Sequence, residues 1–152
     1  MQTMKLLIVE DNQQMRLMIR RVVADLADEV RECADATEAL ALYAQLQPDW
    51  VLMDIELAEG NGITATRWIK ADFPAARILI VTNYNDAMLR TVAAQAGACG
   101  YVLKENLLEV RRLMQSSLHN LSQTPLQTRL QTPGQTPFQT NARPFNCDQE
   151  GE

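Results

Sequence analysis

The chain predicts an α/β fold: an open, doubly wound parallel sheet of five strands, covered on both faces by helices. Three observations predict it. Short, continuous apolar runs occur at residues 6–9, 51–53, 78–81 and 101–103, and such runs suit strands buried on both faces. Helical periodicity fills the intervals between them. Strands alternate with helices throughout, and right-handed crossovers then leave few topologies, with order 2-1-3-4-5 leading.

Each element has a local reason. Residues 6–9 form the first strand. Met15, Ile19, Val22 and Leu26 are spaced 4, 3 and 4 apart and mark one face of the first helix. A weaker strand is expected at residues 29–33, where polar content suits a sheet edge. Residues 36–46 are rich in helix formers and stop before Pro48. After the strand at 51–53, a third helix runs over 63–72 and ends before Pro74. The fourth strand is followed by a helix over 86–96, closed by Gly97 as its C-cap. After the fifth strand, a last helix spans 105–121, with Leu107, Val110, Met114, Leu118 and Leu121 on one face.

Composition bounds the rest. The 152 residues suit one ordinary domain, and an apolar content of 47% supports a substantial core. The pattern divides the chain into a domain at 1–121 and a low-complexity Gln/Thr/Pro tail at 122–152. In that tail Gln-Thr recurs at 123, 127, 131, 135 and 139, with Pro at 125, 133 and 137. Repeated prolines oppose helix and sheet, so the tail is expected to be disordered.

The net charge of −5 leads to an expectation of no direct DNA binding, because nucleic-acid contact needs a basic face. No run approaches the roughly 20 apolar residues that span a bilayer. The N-terminus lacks a secretory pattern. A cytoplasmic protein without membrane contact is therefore expected. Cys33, Cys99 and Cys147 lack metal-ligand spacing and read as buried or incidental thiols. His119 is the single histidine, so zinc chemistry and a Ser-His-Asp triad have little support. Its place near the end of the last helix suits a surface role on the helix dipole.

Chemistry is expected where the strands end. In doubly wound sheets ligands bind beyond the carboxyl ends of the strands, near the point where strand order reverses. Glu10 and Asp11 follow the first strand, Asp54 the third, Thr82 the fourth and Lys104 the fifth. Converging carboxylates repel unless a cation sits among them. Oxygen donors without His or Cys favour a hard ion, with Mg²⁺ the leading candidate. A phosphoryl group approaching a carboxylate needs such neutralisation, together with positioning. Asp54 is then the nucleophile that forms an acyl phosphate, Lys104 a second positive charge and Thr82 a hydrogen-bond donor.

These segments resemble a response-regulator receiver domain over residues 4–121. The resemblance rests on residues 7–12 (Leu-Ile-Val-Glu-Asp-Asn), 49–55 (Asp-Trp-Val-Leu-Met-Asp-Ile), Gly62, 81–83 (Val-Thr-Asn) and 97–104 (Gly-Ala-Cys-Gly-Tyr-Val-Leu-Lys). It implies the flavodoxin-like (βα)5 fold and two-component or phosphorelay signalling. Asp54 matches the phosphoacceptor. Glu10, Asp11 and Asp54 match the Mg²⁺ ligands, with the backbone carbonyl of Glu56. Thr82 and Tyr101 match the switch pair, and Lys104 the phosphate-contacting lysine. The face of the fourth helix, fifth strand and fifth helix would change on phosphorylation, and a homodimer through it is an expectation. The implied partners are a histidine kinase or histidine phosphotransfer protein, met by Met15, Arg16, Met18 and Arg20 of the first helix, and a downstream protein target. The chain is expected to be a stand-alone receiver, resembling those of helix-turn-helix regulators, and no enzyme beyond its own phosphoryl transfer and dephosphorylation.

The sequence also departs from the family pattern. Glu10 stands where Asp is commoner, Ala58 where Pro is common, and Glu105 where many relatives have Pro after the lysine. Glu56 and Tyr84 occupy the variable positions two residues past Asp54 and Thr82, which tune water access in the family. The residues leave two alternatives open. One is a receiver-like module that is not phosphorylated. The other is a phosphatase with an Asp nucleophile, for which Glu56 replaces the second Asp that such chemistry typically needs. Gly60 and Gly62 do not extend into a dinucleotide-binding motif.

Overall fold

The computed structural model describes residues 3–122, with side chains described through Ser117. The expected disordered tail, Cys147, and the side chains of Leu118, His119 and Leu121 lie outside the described residues. The elements follow the expected alternation: β1 Lys5–Val9, α1 Gln13–Val23, β2 Glu29–Cys33, α2 Ala36–Leu46, β3 Trp50–Met53, α3 Gly62–Asp72, β4 Ile78–Thr82, α4 Ala87–Ala96, β5 Gly100–Leu103 and α5 Leu108–Ser122. The five strands are parallel in order β2-β1-β3-β4-β5. The polar strand β2 is at an edge, as expected.

The continuous apolar runs have a direct cause. Successive side chains on a strand point to opposite faces. Leu7, Val9, Val51, Met53, Ile78 and Ile80 enter one core with α2, α3 and α4 residues. Leu6, Ile8, Trp50, Leu52, Leu79 and Val81 enter the other, with Ile19 and Val23 of α1 and Val110 and Met114 of α5. Each large side chain removed from water contributes about 1.5–3 kcal/mol.

Helix ends are capped by side chains. Asn12, Asp35, Asn61 and Asp86 accept backbone amides at the starts of α1 to α4, each contributing about 1 kcal/mol. Gly97 closes α4 with φ 107°, a conformation that glycine adopts without steric cost. Two boundaries differ from expectation. Helix α1 ends at Val23, before Leu26. Helix α5 starts at Leu108, because Lys104–Asn106 form a tighter 3₁₀ turn. Cys33 is buried, and burial pushes its thiol up to about 12, so it stays protonated and inert. Among the described residues no helix is long and apolar enough to cross a membrane.

Candidate functional site

Sheet register brings the predicted residues to one edge. Val9 pairs with Met53, and Thr82 with Leu103. The residues that follow these strands therefore emerge side by side. The Asp54 amide donates to the Val9 carbonyl at 3.0 Å, and the Glu10 amide to the Cys33 carbonyl at 3.0 Å. Both backbones are held by the ladder just where their side chains leave the core.

Lys104 closes the site from β5. Its Nζ lies 2.7 Å from Glu10 Oε2 and 2.9 Å from Asp54 Oδ2. The approach to Glu10 Oε2 is too oblique for a hydrogen bond, so this contact is an ion pair only. Asp54 Oδ1 accepts the Ile55 amide at 2.8 Å. The longer Glu10 side chain folds back, and its Oε1 accepts the Asn12 amide at 3.0 Å. The extra methylene relative to Asp is thus absorbed locally.

The three side chains are almost dry, with 1% exposure at Glu10, 6% at Asp54 and 8% at Lys104. Burial raises the Glu10 carboxyl, outweighing the Lys104 ammonium and the Asn12 amide, which lower it. For Lys104, burial works downward, but the two carboxylates it faces, Glu10 and Asp54, prevail and raise it. Asp11 is exposed at the rim. Carboxylate oxygens of Glu10, Asp11 and Asp54 lie within 4.8 Å of one another. Three oxygen donors at that spacing, two of them buried, fit a small hard divalent cation that keeps several waters.

Thr82 and Tyr101, expected as a switch pair, lie on the adjacent strands β4 and β5. Thr82 is fully buried at the end of β4, and its Oγ1 accepts the Tyr84 amide at 3.3 Å. It makes no hydrogen bond to Asp54. Tyr101 is turned inward, 8% exposed, with its hydroxyl donating to the Tyr84 carbonyl at 2.6 Å. The Arg90 guanidinium lies 4.5 Å from the centre of its ring, a favourable cation–π distance. Glu56 forms a backbone bridge with Asn61.

Three features escaped the sequence reading. The Tyr84 hydroxyl donates to Glu56 Oε2 at 2.6 Å, joining the two variable positions across the site. Gly62 has a steric role: a Cβ there would lie 1.8 Å from the Asp54 carbonyl oxygen. Arg16, expected among the partner-facing residues of α1, instead turns inward and donates to the Glu10 carbonyl at 2.7 Å. Met18 is 51% exposed and Met15 packs against the core. The only sequence signals for these were position and residue type.

This arrangement defines an acidic pocket, with donors that fit a divalent cation, around a buried aspartate on a doubly wound sheet. Residues 6–116 match the model of the response regulator receiver domain, and the chain belongs to that family of two-component signalling. It is 35% identical over 116 residues to the uncharacterized transcriptional regulatory protein YhcZ of Bacillus subtilis, covering 72% of this chain and 54% of that protein. The structure of a LuxR-family two-component response regulator from Aurantimonas sp. SI85-9A1 superposes with a TM-score of 0.71 at 36% identity, covering 78% of this chain and 86% of that one. A LuxR-family DNA-binding response regulator from Staphylococcus aureus shares the fold with a TM-score of 0.68 at 22% identity, over 74% of this chain and 97% of that one.

The chain spans about half the length of the curated relatives it matches. The expectation of no direct DNA binding is therefore corrected: the relatives matched at 35% and 36% identity include a transcriptional regulatory protein and a LuxR-family response regulator. Charge summed over a receiver segment carries no information about the remaining half of such a regulator.

Proposed function

We propose that this chain accepts a phosphoryl group on Asp54 from a phosphohistidine of a histidine kinase or phosphotransfer protein, with Mg²⁺. The observation that carries the reading is the Asp54 carboxylate, held between the Lys104 ammonium at 2.9 Å and the Ile55 amide at 2.8 Å, within the acidic cluster. An Asp54 oxygen attacks phosphorus, the P–O bond forms as the P–N bond breaks, and the departing imidazole keeps the electron pair and takes up a proton. Glu10, Asp11 and Asp54, with the Glu56 carbonyl, would hold the ion, which supplies charge neutralisation to the incoming phosphoryl group.

The chain's own groups do the rest. Lys104 leaves its pairing with the acids to meet a phosphoryl oxygen. Thr82 turns its hydroxyl from the Tyr84 amide toward the same group. Tyr101 follows through its bond to the Tyr84 carbonyl, and the surface of α4, β5 and α5 changes. That is a local charge event biasing a two-state element. The reading makes the chain a signalling receiver that catalyses only its own phosphorylation and dephosphorylation. By analogy with the relatives' names, its output is control of a transcriptional regulator.

The test is incubation with acetyl phosphate and Mg²⁺, followed by intact mass. The parent is expected to gain one hydroxylamine-labile phosphoryl adduct, and Asp54→Asn none. An unmodified parent refutes the reading. Sustained turnover of phosphate esters would favour a phosphatase instead.

A further inference from the structure

We infer that Arg16 is a positioning residue for the divalent-cation pocket, oriented from the edge strand by Glu32; the inference rests on the Mg²⁺ reading above. Arg16 lies in the first turns of α1, where its amide donates to the Asn12 carbonyl. A cation near a helix N-terminus opposes the helix dipole, and no acidic residue occupies this first turn to offset it. The position therefore needs a local reason.

The contacts provide one. Helical side chains lean toward the N-terminus, which carries the guanidinium back over the β1–α1 loop. There Nη1 donates to the Glu10 carbonyl at 2.7 Å. Nε faces Glu32 Oε1 at 3.3 Å, and Arg20 holds the other oxygen of Glu32 at 2.6 Å. Only 21% of the Arg16 side chain is exposed, against 51% for Arg20.

Glu10 is thereby gripped at every polar group. Its amide is bonded to Cys33, its carbonyl to Arg16, one carboxylate oxygen to Asn12, and the other faces Lys104. Glu is longer than the commoner Asp and has one more torsion to hold. The Arg16 clamp fixes the backbone from which that side chain must reach the ion.

The sign of the effect separates positioning from simple electrostatics. Removing a positive charge near a cation site should tighten Mg²⁺ binding if Arg16 acts only through its field. Removing a clamp should weaken it, since groups that orient metal ligands typically contribute 10–100-fold in affinity.

The full chain, stripped with EDTA, is titrated with MgCl₂ by calorimetry, and folding of each variant is checked by circular dichroism. Arg16→Ala is expected to weaken Mg²⁺ binding by about tenfold, with Arg16→Lys and Glu32→Gln each weaker by roughly threefold. Arg20→Ala, which touches only Glu32, should stay within about twofold of the parent. Unchanged or tighter binding in Arg16→Ala overturns the inference. If that variant fails to fold, unchanged affinity in both Arg16→Lys and Glu32→Gln overturns it. Equal weakening in Arg20→Ala also overturns it, because the effect would then not be specific to the clamp. A parent that gives no binding heat refutes the Mg²⁺ reading itself. A binding parent with indifferent variants refutes the clamp alone.

Discussion

Removing the cation from the pocket tests the central electrostatic arrangement without any phosphodonor. Lys104→Met keeps most of the side-chain volume and loses the ammonium. In the parent that ammonium lies 2.7 Å from Glu10 and 2.9 Å from Asp54, which are 1% and 6% exposed. Deleting one partner of a buried ion pair costs about 3–5 kcal/mol, because a charge is left buried without compensation. Two carboxylates share the deficit, and protonation of one relieves part of it, so the low end of the range applies. We expect a loss of about 3 kcal/mol. With a urea m-value of about 1.5 kcal/mol/M, the midpoint falls by roughly 2 M.

The assay is urea unfolding at pH 7 in EDTA, so that no divalent ion replaces the lost charge. Glu10→Gln supplies the second arm of a double-mutant cycle. In Lys104→Met/Glu10→Gln Asp54 is left as the one buried carboxylate of the cluster, with Asp11 at the solvated rim, and the double variant should be more stable than additivity predicts by about 1–3 kcal/mol. A loss below about 1 kcal/mol in Lys104→Met, or strict additivity, would refute the buried-pair account.

Three further outcomes follow from other contacts. Gly62→Ala places a Cβ 1.8 Å from the Asp54 carbonyl oxygen and 2.9 Å from Met53 Cγ. Relieving that overlap should disturb the Gly62 amide bond to Ile55 and cost about 3 kcal/mol in urea unfolding; a cost under 1 kcal/mol would show that the loop yields freely. If Asp54 is phosphorylated, Tyr84→Ala should shorten the acyl-phosphate lifetime by roughly threefold, by opening the site to water. Tyr84→Phe, which keeps the ring but loses the bond to Glu56, should fall between the two, and equal decay in all three by intact mass would sink the idea. Asp25 is held below its ordinary carboxyl range, first by its hydrogen bond from Arg111. A lowered folded value gives stability that is present above the unfolded value, near 3.8, and is lost as pH falls below it. Asp25→Asn should therefore melt slightly lower than the parent at pH 7, with the gap closing toward pH 2; a gap that persists in acid would contradict the sign. The pair is solvent-exposed, so the effect at pH 7 is small.

Much of the fold and part of the site were legible in the residues themselves. The runs at 6–9, 51–53 and 78–81 are apolar at every position because their strands are covered on both faces, and that composition is a one-dimensional signal. The polar content of residues 29–33 marked an edge for the same reason. Glu10, Asp11, Asp54, Thr82 and Lys104 were readable as a set because parallel strands in register end together. The charge-based expectation about DNA failed because net charge is a sum over whatever segment is in hand, while recognition depends on where a basic surface lies.

Tertiary structure decided how those groups meet. Chain position places Lys104 fifty residues from Asp54, but only packing puts its ammonium between Asp54 and Glu10. Arg16 looked like one of several surface cations on α1. Its direction depends on the Glu10 carbonyl and on Glu32 of a neighbouring strand. The Tyr84–Glu56 bond spans 28 residues, and the steric demand at Gly62 arises from a carbonyl eight positions earlier. Periodicity and residue type act locally, so the sequence alone determined the elements and the edge on which chemistry occurs. Ion pairing, burial and steric exclusion act between segments distant in the chain, and those only the folded arrangement decides.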